Sequence, residues 1–184
     1  MDLDGYRIAL LAATGVHDHE FWYPFYRFRE AGAEVVVAGP RTGTILGEGR
    51  HGSDGLPIRV ERTVEEIAGT PFDLVYLPGG LYHPLALRNH EPALDLVRRT
   101  IEDGGLVAAI CHAPWILISA GVVEGRRIAC PRDMADDVTN AGGIFVDEPA
   151  VQDGPLLTSV FFGYLPEHFR LIVPALRRRG PRHG

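Results

Sequence analysis

Cys111 and His112 sit side by side where an apolar run, residues 106–110, ends, and Pro114 then opens a second apolar run, residues 115–120. A buried strand, an abrupt turn with a thiol at its tip and then a helix make the layout of a nucleophile elbow. So tight a turn needs small residues two positions before and after the nucleophile, and Ala109 and Ala113 stand there. The competing reading is a strand that ends in a core cysteine. His112 and Pro114 speak against it, because neither suits a strand interior. Other residues able to do chemistry are Glu20, which follows His17 and His19, the glycine pair Gly79-Gly80, and the second cysteine, Cys130.

These residues have to be positioned by the elements around them. Residues 7–13 form a continuous apolar run, as in a strand of a parallel sheet buried on both faces. Asp18 is a plausible N-cap for a helix over 19–31, with Phe21, Phe25 and Phe28 on one face and Gly32 at its end. The β-branched run at 33–38 completes a βαβ unit. Residues 39–55 are glycine-rich and predict a short hairpin excursion, followed by a strand over 57–61 and a helix over 64–68 boxed by Thr63 and Glu66. A strand then ends in the glycine pair, whose lack of side chains lets the backbone approach another group closely; a simple turn is the alternative. One helical turn is expected at 85–89 and a helix at 93–103, ahead of the elbow strand.

Beyond the elbow, short strands are expected at 127–130, 144–147 and 156–159, the last two around the Asp153-Gly154 turn. A helix over 133–140, capped by Asp133, lies between them. The last helix spans 165–179 with a kink or split at Pro174. The basic tail from about residue 177 reads as a disordered, solvated end. Alternating strands and helices specify a doubly wound α/β fold, which binds ligands at the C-terminal strand edges. Residues 14–20, 77–80 and Cys111-His112 all leave such edges, and that convergence argues for one active site.

Composition narrows the classes. A chain of 184 residues defaults to one domain, and 46 % hydrophobic with 23 % charged residues is ordinary for a soluble protein. The net charge of −6 argues against nucleic acid as a partner. No apolar run has the length of a membrane span, and the acidic start lacks a signal-peptide layout, so a cytoplasmic location is expected. Two cysteines make no disulfide framework, and no spacing suggests a metal site or a cofactor.

The run Ala-Ile-Cys-His-Ala-Pro at 109–114 resembles the AICHGP signature of the ThiJ/PfpI superfamily. Around it, Leu-Pro-Gly-Gly at 77–80, Glu-Phe-Trp-Tyr-Pro at 20–24, Arg-Glu-Ala-Gly at 29–32 and Asp-Asp-Val-Thr-Asn-Ala-Gly at 136–142 fit the same pattern. So do Ile-Ser-Ala-Gly at 118–121 and the run at 153–159. The resemblance covers roughly residues 6–176 and is nearest the PfpI-like branch. It implies a flavodoxin-like three-layer sandwich, with a mostly parallel central sheet and helices on both faces. It implies a homo-oligomer, most commonly a dimer, and a small-molecule or peptide substrate. It further implies a nucleophilic Cys111, a partly buried Glu20 facing it, a catalytic His112, and an oxyanion hole from the backbone N–H groups of Gly80 and His112. A helix N-terminus and a neighbouring imidazolium would lower the thiol pKa.

Two departures from the family pattern stand out. PfpI-like proteases take a triad carboxylate from a neighbouring subunit a few residues after the glycine pair, where this chain has Leu81-Tyr82-His83-Pro84. His83 there is either a pocket residue or an ordinary surface histidine. An arginine usual after the Thr-Ser pair is replaced by Val160-Phe161-Phe162, which together with Trp22, Tyr23 and Trp115 suggests an apolar pocket mouth or a packed dimer interface. His17 and His19 can touch substrate, bind a metal or simply be solvated loop residues, and Cys130 is a candidate neighbour of the pocket. Three functions remain open. The first is a PfpI-like peptidase or amidase. The second is glyoxalase- or deglycase-like chemistry on small dicarbonyls through a hemithioacetal at Cys111. The third, non-enzymatic, is an oxidative-stress sensor working through reversible oxidation of Cys111.

Overall fold

A computed structural model describes residues 2–49 and 55–182. In chain order the elements are β1 (Arg7–Leu11), α1 (Asp18–Glu30), β2 (Glu34–Gly39), β3 (Gly43–Leu46), β4 (Pro57–Val60), β5 (Arg62–Thr63) and α2 (Val64–Ile67). There follow β6 (Leu74–Leu77), α3 (Tyr82–Leu87), α4 (Glu91–Glu102), β7 (Leu106–Ile110), α5 (Pro114–Ser119), β8 (Arg127–Ile128) and α6 (Ala135–Asn140). The chain closes with β9 (Ile144–Phe145), β10 (Ala150–Asp153), β11 (Leu156–Ser159) and α7 (Leu165–Arg179).

Seven strands make the central sheet in the order β10-β11-β7-β6-β1-β2-β5. All neighbouring pairs are parallel except β10 with β11. Successive side chains of a strand point to opposite faces, and two separate cores result. Ala9, Leu11, Val75, Leu77, Val107 and Ala109 pack against α4 and α5 on one face. Ile8, Leu10, Leu74, Tyr76, Ala108 and Ile110 pack with Phe21 and Phe28 of α1 and Phe169 and Ile172 of α7 on the other. This is the flavodoxin-like sandwich. β1 lies between β2 and β6, so consecutive crossovers leave it in opposite directions. The strand edge there is a topological switch point, where doubly wound folds open a crevice.

Several sequence expectations shift. Asp18 is the first residue of α1, not its cap; His17 holds the cap position without a side-chain bond. The Asp18 carboxylate instead accepts from Leu56 N–H at 3.0 Å. That contact ties the antiparallel β3–β4 excursion to the start of α1; the centre of the excursion, residues 50–54, lies outside the described residues. The hairpin around Asp153-Gly154 joins β11 to β10, a strand the sequence reading missed. Helix α7 passes through Pro174 unbroken. The proline forgoes one bond to the carbonyl of Arg170, an exposed residue with water at hand.

The basic tail is also corrected. The helix reaches Arg179, whose guanidinium donates to the Gly104 and Gly105 carbonyls, the latter at 2.8 Å. Arg182 donates from its backbone to Asp73 at 2.8 Å and from its side chain to the Phe72 carbonyl at 3.0 Å. The cationic side chains thus close the sheet's N-terminal edge. Among the described residues no helix is long and apolar enough to cross a membrane.

Candidate active site

The C-terminal ends of β1, β6 and β7 bring the chemistry-bearing residues together. Cys111 follows β7 directly and has φ +60°, and it is the one non-glycine residue with positive φ among those described. A side chain in that region costs of order 1–3 kcal/mol and persists only where the surroundings over-determine it. Here they do: Ala109 and Ala113 are fully buried, as the tight turn requires. Cys111 N–H is fixed to the Ser159 carbonyl at 3.0 Å, and Ala113 N–H to that of Ile110 at 3.1 Å.

The glycine pair abuts this turn. A Cβ on Gly79 would fall 2.5 Å from the Cys111 Cβ and 2.4 Å from Glu20 Oε2, so no other residue fits. Gly80 has φ +93°, and a Cβ there would strike the Gly15 carbonyl at 2.4 Å. This strain-free left-handed turn aims the Gly80 N–H at the Cys111 sulfur, where the His112 backbone N–H also points. The expected donor pair therefore converges on one atom.

Glu20, in the first turn of α1, has no exposed surface. Its Oε2 accepts from Gly79 N–H at 2.9 Å. Burial pushes its pKa up to about 8, against the pull of the Gly79 and Phe162 N–H groups and the Cys111 thiol. Glu20 thus holds a proton at neutral pH, next to the sulfur. Burial also pushes the Cys111 thiol up, and a charged Glu20 adds to this, while the Gly80 and His112 N–H groups pull it down. The expected lowering is overturned because desolvation outweighs it, and α5 is only 6 residues long. The Glu20 contribution vanishes while Glu20 keeps its proton.

On the solvent side, His112 Nδ1 lies 3.3 Å from the Cys111 sulfur. Its Nε2 lies 3.3 Å from Asp133 Oδ2. The ring packs on Trp115 at 5.0 Å between centroids. Trp115 Nε1 donates to Asp137 at 2.7 Å. Asp133 sits in a short 3-10 turn, Arg132–Met134, before α6; from the sequence it read only as a helix cap.

The remaining expected site residues divide. His17 is half-buried at the site's rim, its N–H bonded to the Gly79 carbonyl at 3.2 Å. Its ring stacks on Phe162 at 4.9 Å, and His19, exposed to solvent, stacks on the same ring at 5.1 Å. Trp22 is placed elsewhere: its ring contacts are Phe21, Phe25 and Tyr26, all on α1. His83 is neither pocket-lining nor at the surface. It is fully buried, its Nε2 3.2 Å from the Leu11 carbonyl. Burial takes its pKa down to about 4, so it is a neutral tie between β1 and the glycine pair. Cys130 is buried in the core beneath α6 with Met134 and Val138. Among the described residues no cluster of His, Cys, Asp or Glu could hold a metal ion.

The chain is similar to known proteins over most of its length. The model of the DJ-1/PfpI family matches residues 6–175. The chain is 39 % identical over 171 residues to Deglycase TK1284 of Thermococcus kodakarensis, covering 93 % of this chain and 99 % of that one. It is 34 % identical over 147 residues to Protein/nucleic acid deglycase 2 of Escherichia coli, covering 80 % and 83 %. Among solved structures, Drosophila melanogaster DJ-1beta superposes with a TM-score of 0.86 at 31 % identity, over 94 % of this chain and 91 % of that one.

Proposed function

This chain belongs to the DJ-1/PfpI family, and from that premise we propose that it is a cysteine-dependent enzyme of the deglycase and glyoxalase kind, acting on small dicarbonyls and their adducts. The observation that carries this reading is the protonated, fully buried Glu20 set against the Cys111 sulfur. Dicarbonyl chemistry needs a nucleophile, oxyanion donors and a carrier that can give and take one proton at neutral pH. The relatives named deglycases support the same choice over a peptidase.

The steps follow from the positions. The Cys111 sulfur adds to the aldehyde carbon, its proton passing to His112 Nδ1 and the Glu20 proton to the carbonyl oxygen, and a hemithioacetal forms. During the addition, charge developing on that oxygen is met by the Gly80 and His112 N–H groups, whose preorganisation needs no rearrangement. Glu20, now a carboxylate, removes the hydrogen of the former aldehyde carbon while the neighbouring carbonyl oxygen takes the proton from His112. Glu20 returns its proton to the second carbon as the first hydroxyl loses its own to His112, leaving a thioester. Water then attacks the thioester, giving one proton to the Glu20 carboxylate while the leaving sulfur takes the proton from His112, so that hydroxy acid and free thiol form with Glu20 protonated and His112 neutral again. The sum is dicarbonyl plus water to hydroxy acid, with no outside oxidant.

The test is turnover of methylglyoxal and of its adduct with an N-acetylated amino acid, beside peptide and amide substrates, with Cys111→Ser as control. We expect dicarbonyl loss with hydroxy-acid formation, reduced on the order of a thousandfold or more in Cys111→Ser. Peptide or amide cleavage without dicarbonyl turnover, or equal rates in the variant, would overturn the reading.

A further inference from the structure

We propose that Asp133 is the positioning acid for His112, supplied by the same chain that carries Cys111, so that one protomer holds a complete Cys111–His112–Asp133 line. The inference rests on Cys111 being the nucleophile, and it departs from the pattern of PfpI-like proteases, whose acid comes from a second subunit and is missing from this chain after Gly80.

The three groups stand in series through the two nitrogens of the His112 ring. Sγ of Cys111 lies 3.3 Å from His112 Nδ1, and His112 Nε2 lies 3.3 Å from Asp133 Oδ2. A carboxylate only accepts hydrogen bonds, so Nε2 must carry the ring proton. Nδ1 is then left with its lone pair toward the sulfur, ready to take the thiol proton. The ring is further restrained by Trp115, itself held by Asp137 and covered by the Arg88 guanidinium at 5.8 Å.

Asp133 is placed by its neighbours. Met134 is fully buried, and its N–H closes the turn on the Pro131 carbonyl at 2.9 Å. Adjacent Arg132 pairs with Asp147 at 3.1 Å and does not neutralise Asp133. The other carboxyl groups near the elbow are committed. Glu20 lies on the buried side of the sulfur, and Glu48 accepts from Leu81 N–H at 3.1 Å. The segment after Gly80, where PfpI-like proteases carry the triad acid, folds into α3 and turns His83 into the core.

Two measurements that need no substrate test the proposal. One is the rate at which iodoacetamide alkylates Cys111, followed by peptide mass mapping so that Cys130 is scored separately. The other is the imidazole ¹⁵N spectrum of His112, which reports which nitrogen holds the proton. An asparagine at 133 can donate to Nε2 and so favour the wrong tautomer. In Asp133→Asn we expect alkylation at neutral pH to slow about tenfold, below the roughly hundredfold that a general base usually supplies, with the ring proton moving toward Nδ1. Asp133→Glu should restore both to within about threefold. Asp133 is 70 % exposed in its side chain, so both variants should fold. An unchanged rate and spectrum in Asp133→Asn, or no rescue by Asp133→Glu, would overturn the proposal. Neither result depends on dicarbonyl turnover, so failure here is distinct from failure of the proposed reaction.

Discussion

The two sides of the Cys111 sulfur carry the same kinds of group in opposite settings. On the inner side, Glu20 is sealed beneath α1 with no exposed surface, and desolvation keeps it protonated to about pH 8. On the outer side, the His112–Asp133 pair meets water, with side-chain exposures of 21 % and 70 %. Two carboxyl groups thus take different roles through environment alone. The buried one stores a proton that can move to and from substrate. The solvated one orients an imidazole. What decides the chemistry is the depth at which the fold sets each group, not its identity.

The largest effect should come from breaking the inner side. Glu20→Gln keeps the shape and the acceptor for Gly79 N–H but cannot exchange a proton. We expect kcat to fall about a hundredfold or more, and the alkaline decline of wild-type activity near pH 8 to disappear with it. Stability should move the other way. The folded pKa of about 8 lies above the unfolded value of 4.5. Between those values the folded state therefore binds more protons, and stability is full below about pH 4.5 and is lost as pH rises to about 8. Glu20→Gln removes that loss, so its thermal midpoint should exceed the wild type's near pH 9 and match it near pH 4. A midpoint gap that does not widen with pH would show that the buried carboxyl is not the proton store described.

Much of the inner side is legible in the sequence alone. The small residues flanking Cys111 and the glycine pair are local signals, each tied to a strand end that apolar runs locate, while the place of Glu20 beside the thiol follows from the family resemblance. The outer side is not. Asp133 reaches His112 only because the chain after β8 turns through Pro131 and buries Met134, and no spacing rule across 21 residues encodes that approach. His83 misleads for a related reason. Flanked by Tyr82 and Pro84, it reads as loop, yet α3 turns its ring inward, where the Leu11 carbonyl receives it. The edge strand β10 escapes a sequence reading because its Ala-Val-Gln-Asp stretch is half-buried and weakly patterned; pairing with β11 makes it a strand.

Burial governs histidines by the same rule, with the opposite sign. His83 and His168 have no exposed surface, and burial lowers both to about 4 from 6.5. The unfolded chain binds protons at these sites first, so their contribution is intact above about pH 6.5 and is lost as pH falls toward 4. The thermal midpoint should therefore decline on acidification across that window. His168→Gln, which can still donate to the Leu157 carbonyl now 3.1 Å from Nε2, should flatten part of the decline. A wild-type midpoint that stays level from pH 6.5 to 4 would mean that these rings take up protons without cost, and that depth does not control titration here.

The smallest effect probes how many contacts hold the outer side. Trp115→Phe keeps an aromatic ring beside His112 but removes the Nε1 donor to Asp137, an exposed hydrogen bond. A hydrogen bond of that kind contributes about 1 kcal/mol, and the His112 ring keeps Asp133 as its direct partner. We expect Cys111 alkylation to slow no more than about threefold. The thermal midpoint should shift by about 2–4 °C at most. If Trp115→Phe were as damaging as Asp133→Asn, the imidazole would be held by its aromatic neighbour rather than by the carboxylate. The outer side would then owe its geometry to packing, like the inner side, and the contrast between a packed acid and a solvated one would lose its second half.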